Sequence, residues 1–305
     1  MTHIHFISIG EPTLCNLAIA LHEQGYKVTS SYTSLKGNEK SALEACGLLP
    51  DQEGFFEDNI EKGIDFVVPA LDIDDENIEL RKAKELNLQI VSFPEFVYWL
   101  TKDKVRLVIS GSQGKSTILS MMLYALNKHK IHVDYVALDP IKGFDENVRL
   151  SYDARIVLLV GTETPVPEKD NKPFHQFYRP HIVVIPNLQW VENKHYPSHD
   201  LYIAAFKSLT ERIEREGKFI FHENDFNLEA LSSSLREDIT AMPYQEDQVV
   251  EGEGKSYLKN RFGLYSIHIK DEYFLRNLSA ARLACRQLGL QDKDFYAAIS
   301  EYSFL

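Results

Sequence analysis

The run Gly111-Ser112-Gln113-Gly114-Lys115-Ser116-Thr117 lies between an apolar stretch, Val105–Ser110, and an amphipathic one running from about Ser116 to Lys130. A strand that reverses through glycines into a helix leaves backbone N–H groups free at the positive end of the helix dipole, the geometry of a βα unit that receives an anion. Glycines let the chain approach phosphate oxygens, a lysine in this place reaches the β/γ phosphates, and the following hydroxyl can ligate Mg²⁺. Gly111, Ser112, Gln113, Gly114, Lys115, Ser116 and Thr117 are therefore the candidate nucleotide-binding residues, with Lys115 as the candidate catalytic cation and Ser116 as a metal ligand. The general phosphate-loop pattern asks for a further glycine five positions before Gly114, where Ile109 stands. Within the helical stretch, Ile118, Met121, Met122 and Ala125 follow i, i+3, i+4, i+7 spacing, so the methionine pair reads as core packing.

Around this unit, short β-branched or aromatic runs alternate with helical patterns, which predicts an α/β protein with mainly parallel sheets. Strands are expected at Ile4–Ile9, Lys27–Ser31, Phe66–Pro69 and Gln89–Ser92, with helices near Thr13–Gln24, Glu39–Cys46, Asn77–Leu86 and Glu95–Thr101. Polar Thr101–Lys104 then precedes a fresh series, with strands at Val105–Ser110, Ile156–Val160, His181–Ile185 and Lys218–Phe221 and a long helix over Leu201–Glu216. Tyr257–Lys270 reads as a hairpin, and Arg276–Leu288 and Asp292–Ser300 as closing helices. We expect two domains: a Rossmann-like one over 1–103 and a P-loop ATPase-like one over 104–305.

Composition excludes several classes. Lys plus Arg number 33 against 45 Asp plus Glu, a net charge of −12 that is the wrong sign for gripping nucleic acid phosphates. Three scattered cysteines, Cys15, Cys46 and Cys285, make neither a zinc set nor a disulfide scaffold. His195 and His199 are spaced i, i+4, but Pro197 between them argues against one helix face. Neither a signal peptide nor an apolar run of about 20 residues is seen, so a cytoplasmic protein without a membrane partner is expected.

The compact loop, with a small hydroxyl and a polar residue before Gly-Lys-Ser-Thr, resembles the ATP loop of the Mur ligase family, which also lacks the earlier glycine. His5–Gly10 with Asn16-Leu17-Ala18 looks like that family's opening strand and helix, and Gly25–Thr29, Asp75–Leu80 and Ser92–Glu95 follow in its order. Tyr178-Arg179-Pro180, Asn187-Leu188, Glu223–Asp225 with Asn227, and Asn277–Cys285 resemble its central ATPase domain. The similarity covers nearly the whole chain and is nearest to the branch of murein tripeptide ligases. It implies an ADP-forming amide-bond ligase of peptidoglycan synthesis or recycling, in which ATP phosphorylates the carboxylate of UDP-N-acetylmuramate and an amino acid or peptide amine attacks. ATP and Mg²⁺ are the implied cofactors, Asn277 the adenine contact, and the turn at Ile9 and Gly10 the UDP-sugar contact.

Departures from the family's pattern point the other way. The position of its magnesium-binding glutamate falls at Val160, leaving Glu163 as the nearest acid, and its Asp-His pair falls at Val191 and Glu192. Glu163 and Glu192 are thus the remaining candidate metal ligands beside Ser116. A second glycine of the N-terminal turn is replaced by Glu11, followed by Pro12, and the nucleoside-holding aspartate by Tyr32. A carboxylate at a helix N-terminus repels a diphosphate, and proline removes an N–H donor. The family's third, peptide-binding domain has no counterpart after Leu305. Two readings stay open: a Mur-type ligase, or a noncatalytic relative that binds nucleotide or a partner protein. A simple P-loop kinase is disfavoured, because no acid ends the 156–160 strand.

Overall fold

The computed structural model describes residues 1–35, 37–252, 255–267 and 271–303. The first series runs β1 (His3–Ile7), α1 (Pro12–Glu23), β2 (Lys27–Ser30), α2 (Gly37–Ala45), β3 (Phe66–Pro69), α3 (Ile78–Glu85) and α4 (Phe93–Thr101). Its strands form an all-parallel sheet in the order β2-β1-β3, with Ile4 facing both Val28 and Phe66. The second series opens with β4 (Val105–Ile109), α5 (Lys115–Lys128), β5 (Asp134–Val136), β6 (Val148–Arg149) and β7 (Ile156–Val160). The small hairpin of β8 (Pro165–Val166) and β9 (Lys172–Pro173) follows, then β10 (Ile182–Ile185), α6 (His199–Thr210), β11 (Lys218–His222), α7 (Phe226–Ser233) and β12 (Thr240–Tyr244). An antiparallel meander of β13 (Val249–Gly252), β14 (Lys255–Asn260) and β15 (Gly263–Ile267) leads to α8 (Glu272–Gln287) and α9 (Asp292–Ile299).

The second sheet has the order β12-β11-β10-β4-β7-β5-β6 and is parallel except for β6. The α/β class with Rossmann-like and P-loop-like parts therefore holds. Its central strand is β4, so the turn that follows β4 emerges between the ends of β10 and β7, where Val184 and Val160 flank Ile109. Such strand ends are where open parallel sheets bind ligands. Helix α5 packs beneath the turn, with Ile118, Met121, Met122 and Ala125 fully buried against α8 and α9. The stripe read from sequence is core.

Three sequence expectations are corrected. Gln89–Ser92 makes only a bridge from Ile90 to Val67, because Ser92 instead caps α4. Its N–H and hydroxyl both donate to the Glu95 carboxylate, at 3.0 and 2.8 Å, and the helix starts at Phe93 rather than Glu95. The helix expected over Leu201–Glu216 is capped by Ser198 and ends at Thr210, since the chain must turn through left-handed Glu216 to reach β11. The hairpin expected to run to Lys270 is observed to Ile267, and 268–270 lie outside the described residues.

The polar stretch between the two series is a clamped turn. The buried Arg106 guanidinium donates to the carbonyls of Thr101, Lys102 and Lys104 at 3.1, 2.7 and 3.0 Å and, through Nε, to those of Tyr178 and Arg179. A second joint binds α1 to the β5–β6 edge. Buried Asn147 donates to Thr13 Oγ1 at 2.8 Å and to the Ala137 carbonyl at 3.1 Å, and accepts from Asn16 at 2.7 Å. Thr13 in turn donates to the carbonyls of Ala137 and Leu138. Removing one member of such a network strands the others, which costs about 1–3 kcal/mol. Asn147→Ala is accordingly expected to lower the unfolding free energy by about that amount in urea titration; a loss under about 0.5 kcal/mol would show that the joint is replaceable.

Candidate functional site

Gly111 adopts φ +114° and Gly114 φ +88°, values that a side chain resists, and both are also crowded. A Cβ at Gly111 would stand 2.9 Å from the Asn187 carbonyl oxygen, and one at Gly114 would overlap the Asn277 side-chain amide. Asn277, named from sequence, thus closes over the start of α5. It is 5% exposed, and its Oδ1 is buried without a hydrogen-bond partner, an acceptor held ready beside the loop.

The rest of the loop is tied to the segment that follows β10. Ser112 N–H donates to the Asn187 carbonyl and Gln113 N–H to Asn187 Oδ1, both at 3.2 Å, while Asn187 Nδ2 donates to the Gln113 carbonyl at 3.1 Å. Ser112 Oγ accepts from Gln189 N–H at 2.6 Å and shares a 2.6 Å bond with the Tyr202 hydroxyl. Lys115 folds back, its Nζ donating to the Gly111 carbonyl at 2.7 Å. Burial pushes this ammonium below its ordinary range, opposed by the carboxylates of Glu163 and Asp139. Helix α5 begins at Lys115 with no side-chain cap, so its first N–H groups remain for an anion.

The candidate metal ligands are unequal. Glu163 lies half-buried on the strand-end segment after β7, in electrostatic reach of Lys115, and its carbonyl accepts from the Tyr196 hydroxyl. Glu192 is exposed on the 191–195 loop and has no hydrogen-bond or ion-pair partner among the described residues. Val160 is 1% exposed and packed with the α5 core, so position 160 offers no metal donor. Among the described residues, no group of three or more His, Cys, Asp or Glu side chains is arranged to hold a metal. A nucleotide-borne Mg²⁺ needs only one or two protein oxygens, and the candidates near the loop are the Ser116 hydroxyl and the Glu163 carboxylate that acts on Lys115.

Sequence reasoning missed Asp139, Tyr202 and His175. Asp139 follows β5, which lies two strands from β4, and an acid just past a parallel strand was its only signal. His175 is completely buried. Its Nε2 faces the Ala205 carbonyl at 3.0 Å, which can only accept, so Nδ1 accepts from the Ser110 hydroxyl at 2.9 Å. The ring thereby ties the residue preceding Gly111 to α6.

At the other expected contact, Ile9 is buried and its N–H donates to the Ser31 carbonyl. A Cβ at Gly10 would stand 2.8 Å from the Ser34 carbonyl oxygen. Glu11 is the N-cap of α1 without a side-chain cap bond, followed by Pro12. Partial burial and Asp72 raise its carboxyl above the ordinary range. Tyr32 is buried and bridged to Gly54.

No protein-family model matches the chain. It is 25% identical, over 316 residues and 99% of its length, to the UDP-N-acetylmuramate–L-alanine ligase of Carboxydothermus hydrogenoformans, 66% of which is covered. The Syntrophomonas wolfei protein of the same name is 27% identical over 78% of this chain and 48% of that protein. The chain thus spans from about half to just under two thirds of these curated relatives. The solved structure of a UDP-N-acetylmuramate:L-alanyl-γ-D-glutamyl-meso-diaminopimelate ligase from Neisseria meningitides superposes with TM-score 0.85 at 18% identity, covering all of this chain and 99% of that one.

Burial depresses the His175 ring from 6.5 to about 4. The folded protein keeps it neutral while the unfolded chain takes up a proton below pH 6.5, so stability falls as pH drops from 6.5 to about 4. The expected loss is about 3 kcal/mol. His175→Gln, which does not titrate there, should show a correspondingly shallower fall in unfolding free energy between pH 7 and pH 4; parallel profiles would contradict the assignment.

Proposed function

From a chain related to the Mur ligases in sequence and carrying their fold, we propose that it performs the nucleotide-dependent part of a Mur-type ADP-forming ligation, joining an amino acid or peptide to UDP-N-acetylmuramate. The observation that supports this reading is the Gly111–Thr117 turn, with two left-handed glycines, a helix start without a side-chain cap and a lysine folded back over the loop's own carbonyl. ATP would supply the phosphoryl group, with Mg²⁺ screening its charge.

In this reading Lys115 exchanges the Gly111 carbonyl for phosphate oxygens, regaining as an ion pair what burial takes from its charge. The N–H groups from Gly114 to Thr117 would cradle the phosphates, Ser116 and Glu163 would hold the metal, and Asn277 Oδ1 would accept from the base. Catalysis of this kind rests on positioning and charge neutralisation. We read 1–103 and 104–305 as the two domains that carry the sugar nucleotide and ATP. A second reading, nucleotide binding without ligation, is favoured by one observation: Val160 is buried where a metal carboxylate is expected. ADP release with UDP-N-acetylmuramate and the tripeptide, compared with thermal stabilisation by Mg-ATP alone, separates the two.

Lys115→Ala is expected to abolish the rise in melting temperature given by Mg-ATP while leaving the ligand-free midpoint unchanged or higher, since a buried amine is removed. Unchanged nucleotide affinity in this variant would sink the assignment. For the sugar nucleotide, Glu11, Pro12 and the buried Tyr32 predict weak binding. Calorimetry should give a dissociation constant above about 1 μM, weaker than about −8 kcal/mol, and tighter binding would show that other groups compensate.

A further inference from the structure

We infer that Asn187 is the positioning residue of the Gly111–Thr117 loop, acting as a side-chain rung that holds the loop in its anion-binding shape before any ligand arrives. Asn187 is 1% exposed, and three of its polar groups are spent on two consecutive loop residues. Its amide pairs with both the N–H and the carbonyl of Gln113, at 3.2 and 3.1 Å, as a neighbouring strand would. Its main-chain carbonyl takes Ser112 N–H at 3.2 Å and presses on Gly111, which explains the need for glycine there from a second direction.

The pairing divides the loop's donors into two sets. Ser112 and Gln113 N–H groups are spent on Asn187 and are unavailable to phosphate, whereas α5 starts at Lys115 without a side-chain cap bond. The Ser112 side chain completes the tether through Gln189 and Tyr202. A loop already fixed in this way loses little conformational freedom when it binds, and the saving appears as affinity. No other side chain type of this length offers a donor and an acceptor side by side to one residue's main chain. Aspartate keeps the acceptor alone, and alanine keeps neither.

The affinity arm of the test rests on the proposed nucleotide role, whereas an exchange arm does not. Amide hydrogen exchange is followed by NMR in the ligand-free parent, Asn187→Ala and Asn187→Asp, and Mg-ATP affinity is measured for each. We expect Gln113 N–H to exchange at least tenfold faster in Asn187→Ala than in the parent and to stay protected in Asn187→Asp. Mg-ATP affinity should fall at least tenfold in Asn187→Ala while the ligand-free melting midpoint, which reports a merely structural role, stays within a few degrees. Equal Gln113 exchange in parent and Asn187→Ala overturns the inference, as does parental ATP affinity in a variant whose Gln113 protection is gone. Should Asn187→Ala fail to fold, Asn187→Ser, which is neutral and too short to reach both main-chain groups of Gln113, takes its place: faster Gln113 exchange together with an affinity loss supports the rung, and parental Gln113 exchange refutes it. A parent that binds no ATP refutes the nucleotide reading, and the exchange arm then decides the inference alone.

Discussion

The β4–α5 turn must satisfy two demands at once: it has to reverse the chain within a few residues, and it has to leave donors unpaired at the end of a buried strand. Unpaired donors away from water are costly, so the rest of the second sheet is arranged to pair those that can be paired. β10 lies beside β4 and delivers Asn187 to one side of the turn; α8 crosses over α5 and delivers Asn277 to the other. Glycine is required at 111 and 114 by these close approaches as well as by the positive φ angles of the turn.

Charge is distributed unevenly around that turn. Lys115 feels the carboxylates of Glu163 and Asp139, while at the start of α1 Glu11 is paired with a second acid, Asp72. The joint of Thr13, Asn16 and Asn147 sets the start of α1 against Ala137 and Leu138, the residues that lead into Asp139. The two sheets are therefore coupled through the start of α1 and the segment that follows β5. A diphosphate at α1 would meet acid there, whereas one at α5 meets a lysine and a row of N–H groups. The asymmetry favours α5 over α1 as the place for an anion.

What the sequence revealed and what it hid divide along physical lines. β3, β4 and β7 were readable because strands buried on both faces are continuous apolar runs, and α5 because a one-sided helix has a period. β5 and β6 have three and two residues, too few for any period, yet they carry the edge that grips α1. The helix start at Phe93 depends on a hydrogen bond between Ser92 and Glu95, and α7 on the Asp225 cap, so both are decided by single atoms. At the site, the glycines and Lys115 announce themselves by spacing. Asp139, Tyr202 and His175 do not, since only the strand order brings residues so distant in sequence to the loop.

Valine rather than a carboxylate at position 160 need not loosen the turn, and the reason lies in what holds it. In a site where a metal organises the loop, removal of the metal ligand would free the chain. Here Gly111 is fixed by Asn187, Ser112 by Gln189 and Tyr202, Ser110 by His175, and Gly114 by Asn277, none of which is a metal ligand in any reading above. An unpaired glutamate at position 160 would bring a buried charge into the core beside α5, at a cost of several kcal/mol unless a cation answered it. Valine removes that cost and packs. The shape of the loop therefore rests on hydrogen bonds and close packing that no metal supplies.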